Sequence, residues 1–404
     1  MNHSRILSVL YWYYPAIAPN AIVKFDNANL MKTEPKQLRV CIIASFITGF
    51  GKTGGFGNMT KQLALSLQER NCEVTVVVPR RPAQAKLSYL GGIRIIGLDL
   101  LQLFSLATYK TIDADIYHSQ NPNFLSFIAM LAQPRKKHVV TYRDPRDVAD
   151  LLTELRVASW KGRLKSPLVF QFENGPFVSY TVKNADLVGC PAYYLVEKMR
   201  KKYGRSDAIL LPNIERFPAR QLQKNKKPTV CFVGRLDPIK RPEIVFDLAE
   251  KFRHVEFMIA GVAQDSERQK ILMAQALEHP NIKMLGYIDK FSSNQLSALY
   301  EKSWILLNAS PREGLPMTFI EAAGHGCAIL SRVNPDDFAA KFGYWVRDDD
   351  FAKGLTSLLA DNRWQAKGKL GQEYVRDTYD ETKAINAHLQ AYRNLLGKQD
   401  NSKD

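Results

Sequence analysis

Short, nearly continuous apolar runs alternate with amphipathic stretches along most of the 404 residues. In the first half these runs fall at residues 39–46, 73–79, 115–119, 138–142 and 186–190, and in the second at 229–234, 255–260, 282–286, 304–308 and 327–331. A run that is apolar at successive positions, rather than at every second one, reads as a strand covered on both faces, with the helical stretches between runs as the covers. The pattern predicts an α/β fold of two doubly wound, parallel-sheet, Rossmann-like domains, and a hydrophobic content of 46% is enough for two cores. Residues 1–37 form an N-terminal extension, 38–212 a first domain, 213–228 a linker that ends in the polar, basic run Q-L-Q-K-N-K-K-P, and 229–373 a second domain. Residues 374–396 are helical in pattern, and the tail 397–404 reads as disordered.

The extension changes the picture little. Residues 6–23 are largely apolar but interrupted by Pro15, Pro19 and Asn20, which argues against a spanning helix. They form either a packed extension or an aromatic segment at a membrane interface.

Charge is distributed unevenly. The net charge is +16, and residues 1–228 hold 33 Lys and Arg against 16 Asp and Glu, so the whole surplus lies in the first part of the chain. Clusters at Arg135–Lys137, at Lys161, Arg163 and Lys165, and at Lys198–Lys202 with Arg205 are interleaved with Trp160 and Tyr203. They suit either an anionic membrane surface or an acidic acceptor, or they are a solvated surface that keeps the protein in solution. No nucleic-acid-binding module accompanies them, so no nucleic-acid partner is expected. The five cysteines are scattered without a C-x-x-C pair and read as reduced core residues of a cytoplasmic protein. The seven histidines show no zinc spacing, so the expected chemistry is metal-independent and needs no cofactor.

The richest candidate chemistry lies at residues 310–326, S-P-R-E-G-L-P-M-T-F-I-E-A-A-G-H-G, between two strand-like runs. Glu313 and Glu321 stand eight residues apart around a turn made by Gly314, Leu315 and Pro316, with Met317 opening a helix. A turn and a helix start offer unpaired backbone N–H groups to a diphosphate, and the carboxylates can accept hydrogen bonds from sugar and ribose hydroxyls. This suits a UDP- or GDP-sugar. In the first half, the strand at 39–46 runs into T-G-F-G-K-T-G-G-F-G-N, where Gly54 and Gly55 are either a phosphate nest at a helix start or a structural loop. Arg235 and Lys240 can neutralise a departing diphosphate, or can form surface salt bridges with Asp237 or Glu243.

Four ordered segments, V-C-F-V-G-R-L-D-P-I-K-R at 230–241, L-P-N-I-E-R-F at 211–217, I-K-M-L-G-Y at 282–287 and the Glu-x7-Glu segment, resemble the retaining GT-B glycosyltransferases of family 4, also called glycosyl transferases group 1. The resemblance spans about residues 38–395. It implies a GT-B fold with two domains facing a cleft, and a glycosyltransferase that moves a sugar from a nucleotide-sugar donor to a glycan or lipid-linked acceptor in surface-glycan assembly. It further implies donor-phosphate roles for Gly54, Gly55, Arg235 and Lys240, ribose contact for Glu321, sugar contact for Glu313, and an anion pocket from Gly314, Leu315, Pro316 and Met317. The same resemblance has residues 374–396 cross back to the first domain.

The chain also departs from the family pattern. Gln120 and Arg143 stand where histidines are frequent, Ala328 where proline is common, and Arg241 where glycine is common. His118 is either an acceptor-side acid–base group or a satisfied core histidine. Arg143, Asp144 and Arg146 are candidates for holding an anionic acceptor group such as a lipid phosphate. These departures keep two alternatives open: a nucleotide-sugar epimerase of related fold, and a catalytically inactive nucleotide-sugar-binding protein.

Overall fold

The computed structural model describes residues 37–51, 54–81, 84–157, 160–220 and 222–397. The N-terminal extension and the tail expected from the sequence lie outside these residues, apart from Gln37 and Gly397.

The first sheet contains β1 (Arg39–Ala44), β2 (Glu73–Pro79), β3 (Leu87–Leu90), β4 (Ile93–Leu98), β5 (Ile116–Gln120), β6 (Lys137–Thr141), β7 (Leu187–Cys190) and β8 (Ile209–Leu210), in the order β3-β4-β2-β1-β5-β6-β7-β8. The second contains β9 (Thr229–Val233), β10 (Glu256–Ala260), β11 (Ile282–Gly286), β12 (Ile305–Asn308), β13 (Ala328–Ser331) and β14 (Gly343–Trp345), in the order β11-β10-β9-β12-β13-β14. Both orders reverse beside the first strand of the sheet, the signature of double winding. All ten runs read from the sequence are strands. Of those it left out, β3 is an edge strand with no buried position, β4 breaks its buried run with Arg94, and β8 and β14 have two and three residues. One pairing departs from the all-parallel expectation, since β3 runs antiparallel to β4.

Two crossings join the sheets. Leu211 and Ile214 still pack in the first core, so that domain continues a little beyond its expected end. The C-terminal segment differs in where it crosses. Residues 374–378 belong to helix Arg363–Thr378, which packs on the second sheet, and the chain then breaks at Tyr379 and Asp380. Helix Glu381–Gly397 carries Ala384, Ile385, Leu389 and Tyr392 into the core beneath β1. The crossings run side by side, because the Glu215 N–H donates to the Tyr379 carbonyl at 2.9 Å. The carboxyl ends of β1, β9 and β12 lead into the three loops that carry the candidate residues, where ligands bind in doubly wound sheets.

Candidate active site

β12 ends at Asn308, whose side chain accepts from the Ser310 N–H at 3.0 Å and starts the turn. A Cβ at Gly314 would lie 2.7 Å from the Arg143 carbonyl oxygen, so only glycine lets the first domain's loop approach this closely. Pro316 precedes helix Met317–Gly324, which has no side-chain cap, leaving its first N–H groups without intrahelical partners. Pro316 sets the bend but has no N–H to offer an anion.

Glu321 lies in the second turn of that helix and is buried. Its Oε1 accepts from Lys290 Nζ at 2.7 Å and its Oε2 from the Tyr300 hydroxyl at 2.9 Å. A carboxylate offers about four lone-pair sites, so about two remain for a pair of neighbouring hydroxyls. Lys290 also donates to Glu215 Oε2 at 2.5 Å. Burial pushes Glu215 up to about 7; Lys290 opposes that shift and the Glu321 charge adds to it. Lys290 itself is raised, because the two carboxylates outweigh the cost of burying its charge. A cavity of about 540 Å³ opens beside this group and is lined by Glu215, Arg216, Phe217, Lys290, Tyr300 and Glu321 among others. That volume is in the range of a small-ligand site.

Glu313 forms an ion pair with Lys240, which sits in the 3-10 turn Pro238–Lys240 after β9. Burial alone would raise the Glu313 carboxyl, but the Lys240 ammonium and a hydrogen bond from Ser310 hold it below its ordinary range. Arg235 is half-exposed and pairs with Asp237 at 2.9 Å, one of the two partners weighed for it from sequence. Arg241 adopts φ 52°, where glycine costs least, and is held there by Asp349 at 2.6 Å. In the first domain Gly54 has φ 150° and precedes helix Gly55–Glu69, whose start also lacks a side-chain cap. Among the described residues, a Cβ at Gly55 would meet nothing within 4 Å.

The acceptor-side candidates are arranged otherwise than the sequence suggested. Of the two readings for His118, the structure places it as a core histidine: it is fully buried in the middle of the sheet. Its Nδ1 meets the Tyr392 hydroxyl at 2.5 Å, and its Nε2 meets Thr141 Oγ1 at 2.7 Å. Burial drives its pKa far down, so the ring is neutral and has no access to a substrate. Gln120 is buried beside it and accepts from Arg143.

Asp144 is engaged by Arg312. Arg146 pairs with Glu154 at 2.9 Å and with Glu173, so its charge is already neutralised. Of the three residues considered for an anionic acceptor group, Arg143 alone lacks an oppositely charged partner among the described residues. It contacts Asn213 and Met59 instead, its Nε has no partner, and burial lowers its pKa to about 9.

Several residues of the site carried no sequence signal. Arg312 hydrogen-bonds Glu154 at 2.9 Å and Asp144, and forms an ion pair with Asp150 at 3.2 Å, clasping the two domains next to Glu313. Asp336 caps helix Tyr193–Tyr203 across the domains by accepting from the Tyr193 and Tyr194 N–H groups at 2.8 and 2.7 Å. Lys290 and Tyr300 belong to no motif, Glu215 lies within the 211–217 segment without having been singled out, and Arg312 could have been singled out as the neighbour of Glu313. Among the described residues no group of three His, Cys, Asp or Glu side chains is placed to hold a metal ion.

Two Rossmann-like sheets, with an uncapped helix start and a Glu-x7-Glu segment at the carboxyl end of the second, define a GT-B protein. Two adjoining family models match: Glycosyltransferase Family 4 over residues 53–214 and Glycosyl transferases group 1 over residues 213–372. The chain belongs to the GT-B glycosyltransferases that these models describe. It is 27% identical over 206 residues to the trehalose synthase of Thermococcus litoralis, covering 47% of this chain and 48% of that protein. It is 34% identical over 119 residues to the Escherichia coli O-antigen biosynthesis glycosyltransferase WbnH, covering 30% and 31%. The chain thus spans about half the length, or less, of these curated relatives. Its fold is similar to that of sucrose-phosphate synthase from Thermosynechococcus elongatus, with a TM-score of 0.69, 16% identity, and coverage of 90% of this chain and 100% of that one. Anabaena Alr3699/HepE, solved with UDP-glucose, gives a TM-score of 0.64 at 13% identity and the same coverage.

Proposed function

We propose that the protein transfers a sugar from a nucleoside-diphosphate sugar to a glycan or lipid-linked acceptor, with retention of configuration, in surface-glycan assembly. The observation that carries this reading is Glu321, a buried carboxylate held by Lys290 and Tyr300 with acceptor capacity left over beside a cavity large enough for a nucleoside. Glu321 takes the ribose hydroxyls. The open N–H groups at Met317, the Lys240 ammonium and Arg235 face the diphosphate and stabilise the charge that develops as it leaves. These cations make the proposed chemistry metal-independent. Glu313 orients the transferred sugar, and its pairing with Lys240 keeps it ionised. The relatives' names support the class: WbnH is described as an O-antigen biosynthesis glycosyltransferase, and HepE was solved with UDP-glucose.

The burial of His118 favours a second reading, a nucleotide-sugar-binding protein without turnover, because it withdraws a candidate acid–base group. Incubation with nucleotide-sugars, with and without a lipid extract, separates the readings by NMR of the sugar. Transfer gives a product of unchanged anomeric configuration only when acceptor is present. An epimer formed from donor alone points to the epimerase, and binding without any product points to the inactive protein.

A further inference from the structure

The first domain carries an apolar face that the donor site does not use. Phe104, Phe124, Phe127, Phe177 and Tyr180, from three helices, pack ring against ring on the surface. Their centroids lie 4.9 Å apart for Phe104 and Phe124, 5.1 Å for Phe124 and Phe177, and 5.3 Å for Phe127 and Tyr180. Phe104 is 58% exposed, Tyr180 42% and Leu101 84%. Helix Trp160–Glu173, which immediately precedes the helix of Phe177 and Tyr180 in the chain, exposes Leu164, Leu168 and Phe172 at four-residue spacing, one stripe of its surface. Exposed aromatic and aliphatic side chains gathered in this way mark an interaction surface.

The charges around the face indicate the partner. Residues 100–110, 124–132 and 176–184 contain no Asp or Glu, whereas Lys110 and Lys183 are exposed. Part of the basic charge that stands out in the sequence is, by contrast, already paired: Lys136 with Asp113 at 3.2 Å, Lys137 with Asp186 at 3.1 Å, Lys198 with Asp147 at 2.9 Å and Arg205 with Asp207 at 2.7 Å. Tyr203, expected to interleave with them at the surface, is buried.

We propose that the ring face docks the protein on an anionic lipid bilayer. The rings lie at headgroup depth, and Lys110 and Lys183 meet the lipid charges. Among the described residues no helix is long and apolar enough to cross a membrane. The proposal rests on the reading of the first domain as the acceptor side for its purpose but not for its test, since vesicle binding requires neither donor nor turnover.

The test is co-sedimentation of the full chain with phosphatidylglycerol-rich vesicles and with pure phosphatidylcholine vesicles. The expected result is preferential binding to the anionic vesicles, falling by about tenfold or more in Phe104→Ser/Tyr180→Ser, as loss of a buried ring implies. In Lys110→Glu/Lys183→Glu, which leaves the rings in place, the preference for anionic vesicles should disappear. Unchanged nucleotide affinity in both variants would show that the donor site is intact. Equal binding by wild type and ring variant, or no binding to either vesicle, would overturn the proposal. So would a dimer in sedimentation velocity that the ring variant abolishes, which would give the face to a second copy of the chain.

Discussion

Lys290 Nζ lies 2.7 Å from Glu321 Oε1 and 2.5 Å from Glu215 Oε2, so one ammonium between β11 and β12 serves two buried carboxylates. Glu215 belongs to the first crossing between the domains, and Glu321 to the helix after β12. The arrangement ties the residue assigned to the ribose to the segment that crosses between the two sheets. Lys290→Met would leave two acidic groups facing each other without a cation, at a cost of roughly 3–5 kcal/mol in urea unfolding. Adding Glu215→Gln to that variant should restore part of the loss.

The same group sets a pH dependence. The folded-state pKa of Glu215 is raised to about 7 from its ordinary 4.5. Between those values the folded state holds a proton that the unfolded state has released, so this group's contribution to stability declines as pH rises from about 4.5 to about 7. Glu215→Gln should flatten that part of the unfolding profile. Identical profiles for the variant and the wild type would show that Glu215 does not titrate there. His118 acts in the opposite sense. Its lowered pKa means that stability is lost as pH falls below about 6.5, as protons bind the unfolded chain.

The two glycine positions separate ligand space from protein space. Gly55→Ala adds a methyl group where nothing lies within 4 Å, so stability should hold within about 0.5 kcal/mol while affinity for a nucleotide-sugar falls. Gly314→Ala drives a methyl group into the Arg143 carbonyl, 2.7 Å away, so it should destabilise the contact between the domains whether or not ligand is present. Thermal unfolding with and without nucleotide distinguishes these effects.

Arg312 binds three carboxylates of the first domain from a position beside Glu313. Arg312→Met should destabilise the chain by roughly 3 kcal/mol, because Asp144, Asp150 and Glu154 then lose a shared cation. It should also raise the radius of gyration measured by X-ray scattering. An unchanged radius would mean that the domains are held together without this clasp.

The sheets were legible in the sequence because buried parallel strands are apolar at nearly every position, as in β5, β12 and β13. The edge strand β3 was not, since its alternating positions look like a loop. Glu313 and Glu321 could be singled out because they flank a turn whose proline and glycine have a local backbone meaning, and Lys240 because its segment at 230–241 resembles the family's. Lys290 could not be read in the same way, and Glu215 and Arg312, though inside the 211–217 and 310–326 segments, gave no sign of their partners. Each is an ordinary charged residue whose importance arises from partners distant in sequence, such as Glu215, 75 residues from Lys290. His118 shows the converse case, a residue type suggestive of chemistry that the strand register buries between β1 and β6.

The central claim is that Glu321 receives the ribose of a nucleotide-sugar, and calorimetric titration of UDP, GDP and ADP into the wild type and Glu321→Gln tests it most directly. The account predicts that one nucleotide binds the wild type selectively. The variant should bind it roughly tenfold to hundredfold more weakly, the loss expected for one hydrogen bond to a charged group. An equal affinity in both proteins, or no binding of any nucleotide to the wild type, would contradict it.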